Sequence, residues 1–327
     1  MIQNNFDANY NGLQMTLTGR NYHGLSFTAG YTYSHALGMA SDQGTAANFP
    51  APINSYGNLR QQLYTSTDFD IRHRFTLSLD YALPGKKGFG QMLEGWSVNT
   101  IIIATSGLPW GVSDQSNDFS GTNAAGTAGQ SFGEQWNFFG NPGDFTPVHG
   151  WTDTNGGWQH GGGGVPFFLP GTPPLTDPLG PTDPAYAINN TSCTSHAGGT
   201  NSLSYASMLT LGCYNVGKSV LLPPAFGTYG NTKANIFRDG GFKDMDFSVT
   251  KLFAIKERLK AEARVEIFNV FNHPIFSNPS GGPGGNIQDP TVQPFGFVGL
   301  TPDTYSSNPQ LGSGGPRSIQ LGLKLSW

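Results

Sequence analysis

The stretch "RSIQLGLKLSW", residues 317–327, alternates apolar and polar residues and ends in an aromatic residue. Successive side chains of a β-strand point to opposite faces, so this spacing predicts a strand with one apolar face and one polar face. The apolar face carries Ile319, Leu321, Leu323, Leu325 and Trp327. Because most domains end in a polar, poorly ordered tail, an alternating strand that closes on Trp327 is a distinctive feature.

The same alternation recurs along the chain and predicts seven strands. They lie near residues 11–20, 25–35, 71–82, 95–107, 243–253, 258–269 and 317–327. Three short connections between them alternate with three long ones, at 36–70, 108–242 and 270–316. Short periplasmic turns that alternate with long extracellular loops are typical of outer-membrane barrels. We therefore predict an all-β fold, an antiparallel transmembrane β-barrel segment of about seven strands that forms an incomplete barrel.

The composition agrees with a protein made of strands and long loops. Charged residues make up 12% of the chain, about half of the usual share of roughly 25%. The 46 glycines and 23 prolines predict many turns and irregular connections. The net charge of −4, without a basic stripe, argues against a nucleic-acid partner. No apolar run approaches the length of about 18 residues that a helical membrane span requires.

Charged residues fall on the polar faces of two predicted strands. Placing Arg or Lys against lipid at mid-bilayer costs roughly 2–4 kcal/mol, whereas a wet lumen accepts such residues. We expect them to face the lumen, either as a structural ion network or as ligand contacts. They are Arg72, Arg74, Asp80, Lys260, Glu262, Arg264 and Glu266.

The long connections contain aromatic residues that could bind a ligand by stacking. The candidates are Trp110, Trp136, Trp151, Trp158 and Phe167. Two cysteines, Cys193 and Cys213, lie in a region rich in Gly, Ser and Asn. They either pair as a loop-stapling disulfide in an oxidising compartment or remain two unpaired thiols.

The sequence contains no motif that supports catalysis or metal binding. The seven histidines show no local spacing of a metal pair. Ser, His and Asp occur, and G-x-S-x-G occurs once, at residues 129–133, but it lies in a stretch rich in Gly, Ala and Thr and not at a predicted strand-to-helix turn, so it does not indicate a nucleophile elbow. We therefore predict no catalytic residue, no metal site and no bound cofactor, and a protein that is not an enzyme.

Four segments resemble the C-terminal part of TonB-dependent receptor-like outer-membrane β-barrels, and the resemblance is closest to the Oar-like type. They are "DIRHRFTLSLDYALPGKKGFG" (70–90), "GWSVNTIIIATSGLPW" (95–110), "FKDMDFSVTKLFAIKERLKAEARVEIFNVFNHPIFSNP" (242–279) and "GGPRSIQLGLKLSW" (314–327). The resemblance implies a barrel of about 22 strands with an N-terminal plug and a segment that contacts TonB. Seven strands fall short of that number, so we expect a fragment, from a split gene or a truncated gene model.

The resemblance also implies partners and a location. The expected location is the outer membrane of a Gram-negative bacterium. The expected partners are outer-membrane lipid, the barrel-assembly machinery, the N-terminal strands and plug, TonB through that plug, and a siderophore, glycan or peptide ligand. Leu321, Leu323, Leu325 and Trp327 are similar to the C-terminal signal that the assembly machinery recognises, although Phe is usual where Trp327 stands.

The predicted function is ligand uptake or surface recognition by a TonB-dependent receptor barrel. Two alternatives stay open at this point. One is a secreted β-sandwich that binds glycans through loop aromatics. The other is a small oligomeric outer-membrane adhesin or structural barrel.

Overall fold

A large antiparallel sheet dominates the computed structural model. The structure describes residues 7–39, 59–86, 88–114, 117–121, 134–145, 148–149, 167–168, 191–255, 259–273, 275, 284–286, 297–298 and 314–327. The first strands are β1 (Ala8–Tyr22), β2 (Leu25–Gly38), β3 (Thr65–Ser66), β4 (His73–Ala82), β5 (Trp96–Thr105) and β6 (Pro109–Ser113). They are followed by β7 (Asn137–Phe139), β8 (Val148–His149), β9 (Phe167–Phe168), β10 (Cys213–Val216), β11 (Ser219–Leu222) and β12 (Phe237–Arg238). The last are β13 (Phe242–Ala254), β14 (Lys260–Phe268), β15 (Gly284–Asn286), β16 (Phe297–Val298) and β17 (Ser318–Ser326).

Helices are short in the described part of the chain. They are α1 (Leu59–Leu63), α2 (residues 191–196) and α3 (Leu203–Leu211), with single 3₁₀ turns at Phe89–Gln91 and Pro142–Asp144. None of these helices is long and apolar enough to span a membrane.

The main sheet is an antiparallel meander. Its strand order is β1-β2-β4-β5-β13-β14-β17, so each long strand pairs with the next long strand along the chain, and β3 adds to the end of β2. Every pair in this order is antiparallel. The prediction of an all-β antiparallel fold is confirmed, and β1 and β17 are the two edges of the sheet in the described part of the chain.

The three short connections lie together at one end of the sheet. β1 turns into β2 through His23 and Gly24, whose φ angles are 50° and 87°, as a type I′ hairpin requires. A Cβ on Gly24 would lie 2.6 Å from the carbonyl oxygen of Ala82, so this turn accepts only glycine at that place. Residues 83–95 join β4 to β5, and residues 255–259 join β13 to β14.

The register divides the sheet into an apolar face and a polar face. Residues that lie directly opposite each other share a face, and one such row runs through Leu17, Ala29, Leu77, Ile102 and Met245. The last strand continues this face: Leu321 is 76% exposed and Leu323 is 74% exposed. In a β-sandwich these residues would be buried against a second sheet. An apolar face that stays half-buried in the middle strands and exposed at the edge strands is what a lipid-facing barrel wall presents.

One lysine on the apolar face is covered by the turn next to it. Lys251 lies opposite Trp96 in the register. Its ammonium donates to the backbone carbonyl groups of Gln91 and Glu94. It also lies 5.3 Å from the Trp96 ring centroid and 4.8 Å from that of Phe253. The charge is therefore withdrawn from the apolar surface toward the short-turn end, and the residue as a whole is buried.

The connection between β5 and β13 contains a folded unit with its own core. We call its described residues (106–114, 117–121, 134–145, 148–149, 167–168 and 191–241) the outer unit, because they lie at the end opposite the short turns. Its strands form the sheet β7-β11-β10-β9 and the pair β12-β6, and two strands from the connection between β14 and β17 add to it, β15 beside β6 and β16 beside β8. The core comprises Trp110, Val112, Phe119, Trp136, Phe145, Tyr214, Leu221 and Phe237. The connection predicted at 108–242 therefore contains, in its described residues, short strands and helices that share a hydrophobic core.

Candidate functional site

The polar face of the sheet carries the charges of the candidate site. One row places Ser26, Asp80, Asn99, Ser248, Glu266 and Gln320 opposite one another across six strands. Another pair places Glu262 opposite Lys324. Arg264 Nε lies 3.5 Å from Glu266 Oε1. Neighbouring charges of opposite sign are acceptable on a face turned to water, where each pair contributes little to stability.

The structure places six of the seven predicted lumen charges on this polar face. Arg74 lies opposite Thr105, and Asp80 lies opposite Asn99. The remaining four are on β14: Lys260, Glu262, Arg264 and Glu266. Arg72 is the exception, because it precedes β4 and its Nε donates to Asp70 Oδ2 at 2.9 Å. Its placement in the lumen is corrected to the rim, since this buried carboxylate holds its guanidinium there.

Two further acids on the polar face were not predicted. Asp244 and Asp246 lie on β13 opposite Ile103 and Ile101. Asp246 Oδ1 accepts the Asn269 amide N–H at 3.1 Å. The alternation of "FKDMDFSV" from 242 to 249 could have revealed both, because Asp244 and Asp246 alternate with Met245 and Phe247.

A buried carboxylate organises the rim at the outer end of the sheet. Asp70 is 1% exposed, and its Oδ1 accepts the Ala36 amide at 2.8 Å and lies 3.2 Å from His35 Nδ1. Its Oδ2 accepts from Arg72 and Arg238. Burial by itself raises the pKa of the Asp70 carboxyl. These hydrogen bonds outweigh burial and hold the pKa of Asp70 well below its usual range. We call Asp70, His35, Arg72 and Arg238 the rim network.

Arg238 joins the rim to the outer unit. From its position in β12, Nη1 donates to the carbonyl oxygens of Asp70 at 2.6 Å and Gly107 at 3.1 Å. Nη2 donates to Ser66 Oγ at 3.2 Å. One guanidinium thus connects the β2–β4 connection, the end of β5 and the outer unit. Arginine can make all of these contacts at once because its planar guanidinium presents five N–H donors in a fixed geometry.

The segment before β12 makes a second connection to the same rim. Asn235 Nδ2 donates to the Ser66 carbonyl oxygen at 3.0 Å and to Asp68 Oδ1 at 2.6 Å. Thr65 Oγ1 donates to the Ala234 carbonyl oxygen at 2.8 Å. These contacts span about 170 residues of chain in sequence. The outer unit is therefore attached to the rim by charged and uncharged hydrogen bonds together.

Asp239 lies in the connection between β12 and β13. Its Oδ1 accepts the Leu108 amide at 2.9 Å and the Gly241 amide at 2.8 Å. Burial raises the pKa of Asp239, although those two amides and the Arg238 charge act in the opposite direction. A Cβ on Gly107 would lie 2.0 Å from the Asp239 carbonyl oxygen, so the backbones approach too closely there for any other residue.

The structure corrects two of the predicted ligand-contact aromatics. Trp110 is fully buried and Trp136 is 1% exposed, and both belong to the core of the outer unit. The Trp110 ring packs 4.8 Å from Phe237 between centroids. Rings enclosed in this way present no face on which an external ligand could stack. Phe167 lies in β9, opposite Tyr214 in the register. Trp151 and Trp158 lie outside the described residues.

Cys193 and Cys213 form a disulfide that joins α2 to β10. Both are fully buried, in a second cluster with Ala197, Met208, Val220 and Leu222. The bond connects the helical part of the outer unit to its sheet. A disulfide in this position suits an oxidising environment outside the cytoplasm.

A second cluster of acids lies inside the outer unit. Asp114 and Glu134 form a β-bridge, with N–H···O distances of 2.8 and 2.6 Å. Asp114 Oδ2 accepts Trp136 Nε1 at 3.0 Å, and Glu134 Oε1 accepts Ser120 Oγ at 2.5 Å. Burial is the main cause of a raised pKa at Glu134, and Asp118 raises it further. Among the described residues, no group of three or more His, Cys, Asp and Glu side chains is placed to hold a metal ion.

The fold and the two faces of the sheet define a class: an antiparallel membrane β-barrel wall with a polar inner face. Comparison with family models then identifies the family within this class. The model described as an outer membrane beta barrel domain matches residues 1–320, and the chain belongs to that family. Its location is accordingly the outer membrane of a Gram-negative bacterium. Comparisons with curated proteins and with solved structures returned no match.

Proposed function

We propose that this barrel wall belongs to a TonB-dependent receptor that binds a ligand at the cell surface and takes it up without chemical change. The observation that carries this proposal is the folded outer unit attached to the rim of a charged inner face. A rigid surface unit fixed by Asp70 and Arg238 is suited to holding a ligand above a lumen. The charged inner face below it is suited to polar cargo.

The strand directions support a larger barrel around this sheet. In the described part of the chain, the seven long strands alternate in direction, which leaves β1 and β17 running in the same direction. Pairing these two edges directly would create a parallel junction, whereas bacterial barrels are antiparallel throughout and have an even number of strands. Unpaired backbone groups at a sheet edge are not tolerated in lipid. We therefore propose that an odd number of further strands completes the barrel, together with a plug that contacts TonB.

The last strand supports the proposed route into the membrane. Leu321, Leu323, Leu325 and Trp327 form one exposed apolar row at the end of the chain. Trp327 lies at the end of the sheet that carries the short turns, where an interfacial aromatic residue is favoured. We propose that this row contacts the barrel-assembly machinery during insertion and outer-membrane lipid afterwards.

The proposal is tested in the bacterium that encodes the chain, with an antibody against the outer unit. Outer membranes are cross-linked, solubilised and immunoprecipitated, and the recovered proteins are identified by mass spectrometry. We expect plug sequences and TonB in the precipitate. Removal of TonB should abolish uptake of one labelled class among siderophores, oligosaccharides and peptides.

Surface recognition without uptake is the second candidate, because the outer unit has its own hydrophobic core. Recovery of the chain in outer membranes without plug sequences and without TonB would exclude the receptor and favour this candidate. The uptake assay identifies whether the ligand is a siderophore, a glycan or a peptide. Neither function requires a catalytic residue.

A further inference from the structure

A buried carboxylate on the polar face of the sheet has one oxygen without a hydrogen-bond donor. Asp244, in β13, is 8% exposed. Its Oδ1 is buried and has no hydrogen-bond partner among the described residues. Buried polar atoms are nearly always hydrogen-bonded, and an ionised oxygen left without a donor is especially unfavourable. A partner from outside the described chain is therefore expected at this oxygen.

A second carboxylate lies beside the first on the same face. Asp246 is two residues further along β13, so its side chain points to the same side of the sheet as that of Asp244. The two Cα atoms of such a pair are about 6.8 Å apart. Asp246 Oδ1 accepts one hydrogen bond, from the Asn269 amide at 3.1 Å. A cation placed between these two side chains can pair with both.

Two isoleucines lie directly beside the aspartates, although this face of the sheet is otherwise polar. Ile103 is opposite Asp244, and Ile101 is opposite Asp246. Side chains that are opposite each other in a sheet have Cβ atoms about 4.5–5.5 Å apart. Ile101 is 50% exposed, so the apolar surface is open to the lumen. We call Asp244, Asp246, Ile101 and Ile103 the lumen patch.

The neighbouring cations of the polar face do not neutralise the lumen patch. Arg74 lies opposite Thr105, and Arg264 Nε lies 3.5 Å from Glu266 Oε1. Neither arginine forms an ion pair with Asp244 or Asp246 in the part of the chain that the structure describes. The patch thus combines a negative charge with an exposed apolar surface.

We propose that the lumen patch binds a primary ammonium or guanidinium group on an aliphatic stem, as in a lysine or arginine side chain, carried by a ligand in the lumen. The stem covers Ile101 and Ile103, as such stems commonly cover apolar surface. The charged group donates to Asp244 Oδ1 and Asp246, because carboxylates form their strongest hydrogen bonds with cationic donors. A calcium ion would need six to eight oxygen ligands, more than two aspartates supply.

This inference rests on the proposed receptor function, because it takes the occupant of the patch to be the ligand that passes along the lumen. It also narrows that ligand. Of the three classes proposed above, a peptide that contains lysine or arginine carries the required group regularly. A neutral oligosaccharide has no cation to pair with Asp244.

The experiment measures binding to the full chain folded in detergent micelles, with ¹³C-labelled isoleucine methyl groups observed by NMR. The probes are n-pentylammonium and n-butylguanidinium, and n-pentanol is the neutral control of similar size. Ile101→Val and Ile103→Val assign the two methyl signals. We expect saturable shifts of both signals with the two cations and none with n-pentanol. Asp244→Asn should weaken binding of both cations by about tenfold or more.

Glu94→Gln is the matched control, because it removes the same charge in the short connection between β4 and β5, and it should leave the affinities unchanged. Asp244→Asn should fold, since Oδ1 makes no hydrogen bond to the described chain, and heat-dependent gel migration checks this. If it does not fold, Asp246→Asn decides, because its amide oxygen can still accept the Asn269 N–H. Equal shifts with n-pentanol, or equal cation affinity in the folded aspartate variants, would overturn the proposal.

A second arm separates a ligand from a basic residue of the plug, which has the same chemistry. Ile101→p-benzoylphenylalanine is introduced in the bacterium that encodes the chain, and a biotin-labelled trilysine peptide is added before irradiation. Cross-links to the peptide support the proposal, and cross-links to plug sequences instead would overturn the assignment to a ligand. The micelle measurement involves neither TonB nor uptake. Its failure therefore leaves the receptor function standing with a different ligand, and failure of the TonB test leaves the measured affinities unaffected.

Discussion

The membrane sheet and the outer unit use apolar residues in opposite ways. In the sheet, Leu321 and Leu323 lie on an exposed face, and lipid covers them. In the outer unit, Trp110 and Phe237 are fully buried against each other. Apolar side chains are therefore removed from water by the membrane in the sheet, and by packing against one another in the outer unit.

The two regions also differ in the contacts that hold them together. The sheet is a continuous ladder of backbone hydrogen bonds between neighbouring strands. The outer unit consists of short strands joined by aromatic packing and the disulfide between Cys193 and Cys213. Truncating one side chain should therefore have a small effect in the sheet and a large effect in the outer unit.

The largest expected effect is the truncation of a tryptophan in the outer unit. Trp136→Ala removes a core ring and should lower the free energy of unfolding of the outer unit by about 3–5 kcal/mol. The matched control is Trp327→Ala, because Trp327 is 91% exposed, and it should change stability in detergent by about 0.5 kcal/mol or less. Proteolysis of the outer unit and the heat-dependent gel migration of the barrel measure the two regions separately. Equal effects of both variants would refute the contrast between the regions.

Next in size is the loss of the rim carboxylate. Asp70→Asn leaves the charges of Arg72 and Arg238 without their anion. Removing one partner of a buried pair costs about 3–5 kcal/mol, and we expect about 3 kcal/mol because both arginines are partly exposed. Protease protection of the outer unit measures the loss. Asp80→Asn on the polar face is the control and should have little effect.

The same carboxylate gives a pH dependence with a defined sign. The pKa of folded Asp70 lies below its ordinary value, which is about 4 in an unfolded chain. Its contribution to stability is therefore complete above that value and declines as the pH falls toward the folded-state pKa. Asp70→Asn should lack this part of the acid unfolding curve. An identical curve in the variant would show that Asp70 does not stabilise the rim.

The sheet could be predicted from the sequence because its signal is local. A strand repeats every two residues, so Leu13, Leu17 and the alternation after Arg317 reveal it without knowledge of any partner. The prediction placed the first strand at residues 11–20, and the structure begins it at Ala8 and ends it at Tyr22. The ends of this strand were not predicted because β1 and β2 continue beyond the residues that show the apolar alternation.

The outer unit could not be predicted in the same way. Its strands have two to five residues, too few to show a period. Its contacts join distant parts of the chain, since Thr232 binds the Trp136 carbonyl oxygen across 96 residues and Arg238 binds Asp70 across 168. Trp110 and Trp136 were interpreted as exposed loop residues because the Gly- and Pro-rich segments around them resemble loops in composition. Burial depended on partners that the local pattern does not show.

A smaller effect is expected from a charge on the apolar face of the sheet. Leu323→Arg places a guanidinium opposite Ala263, toward lipid, and should cost about 2 kcal/mol near the middle of the strand. The control Lys324→Arg keeps a cation on the polar face and should be neutral. Unfolding of the sheet by urea in lipid vesicles measures both. A neutral result for Leu323→Arg would mean that this face does not contact lipid.

The smallest effect is expected from an ion pair on the polar face. Glu262 lies directly opposite Lys324, and such cross-strand pairs contribute about 0.2–1 kcal/mol. Glu262→Gln and Lys324→Met, singly and together, give the coupling energy through a double-mutant cycle. The coupling should weaken as salt rises, because a wet face screens its charges, and protease protection of the outer unit should stay unchanged. A coupling that is insensitive to salt would place this pair in a dry environment and contradict an aqueous lumen.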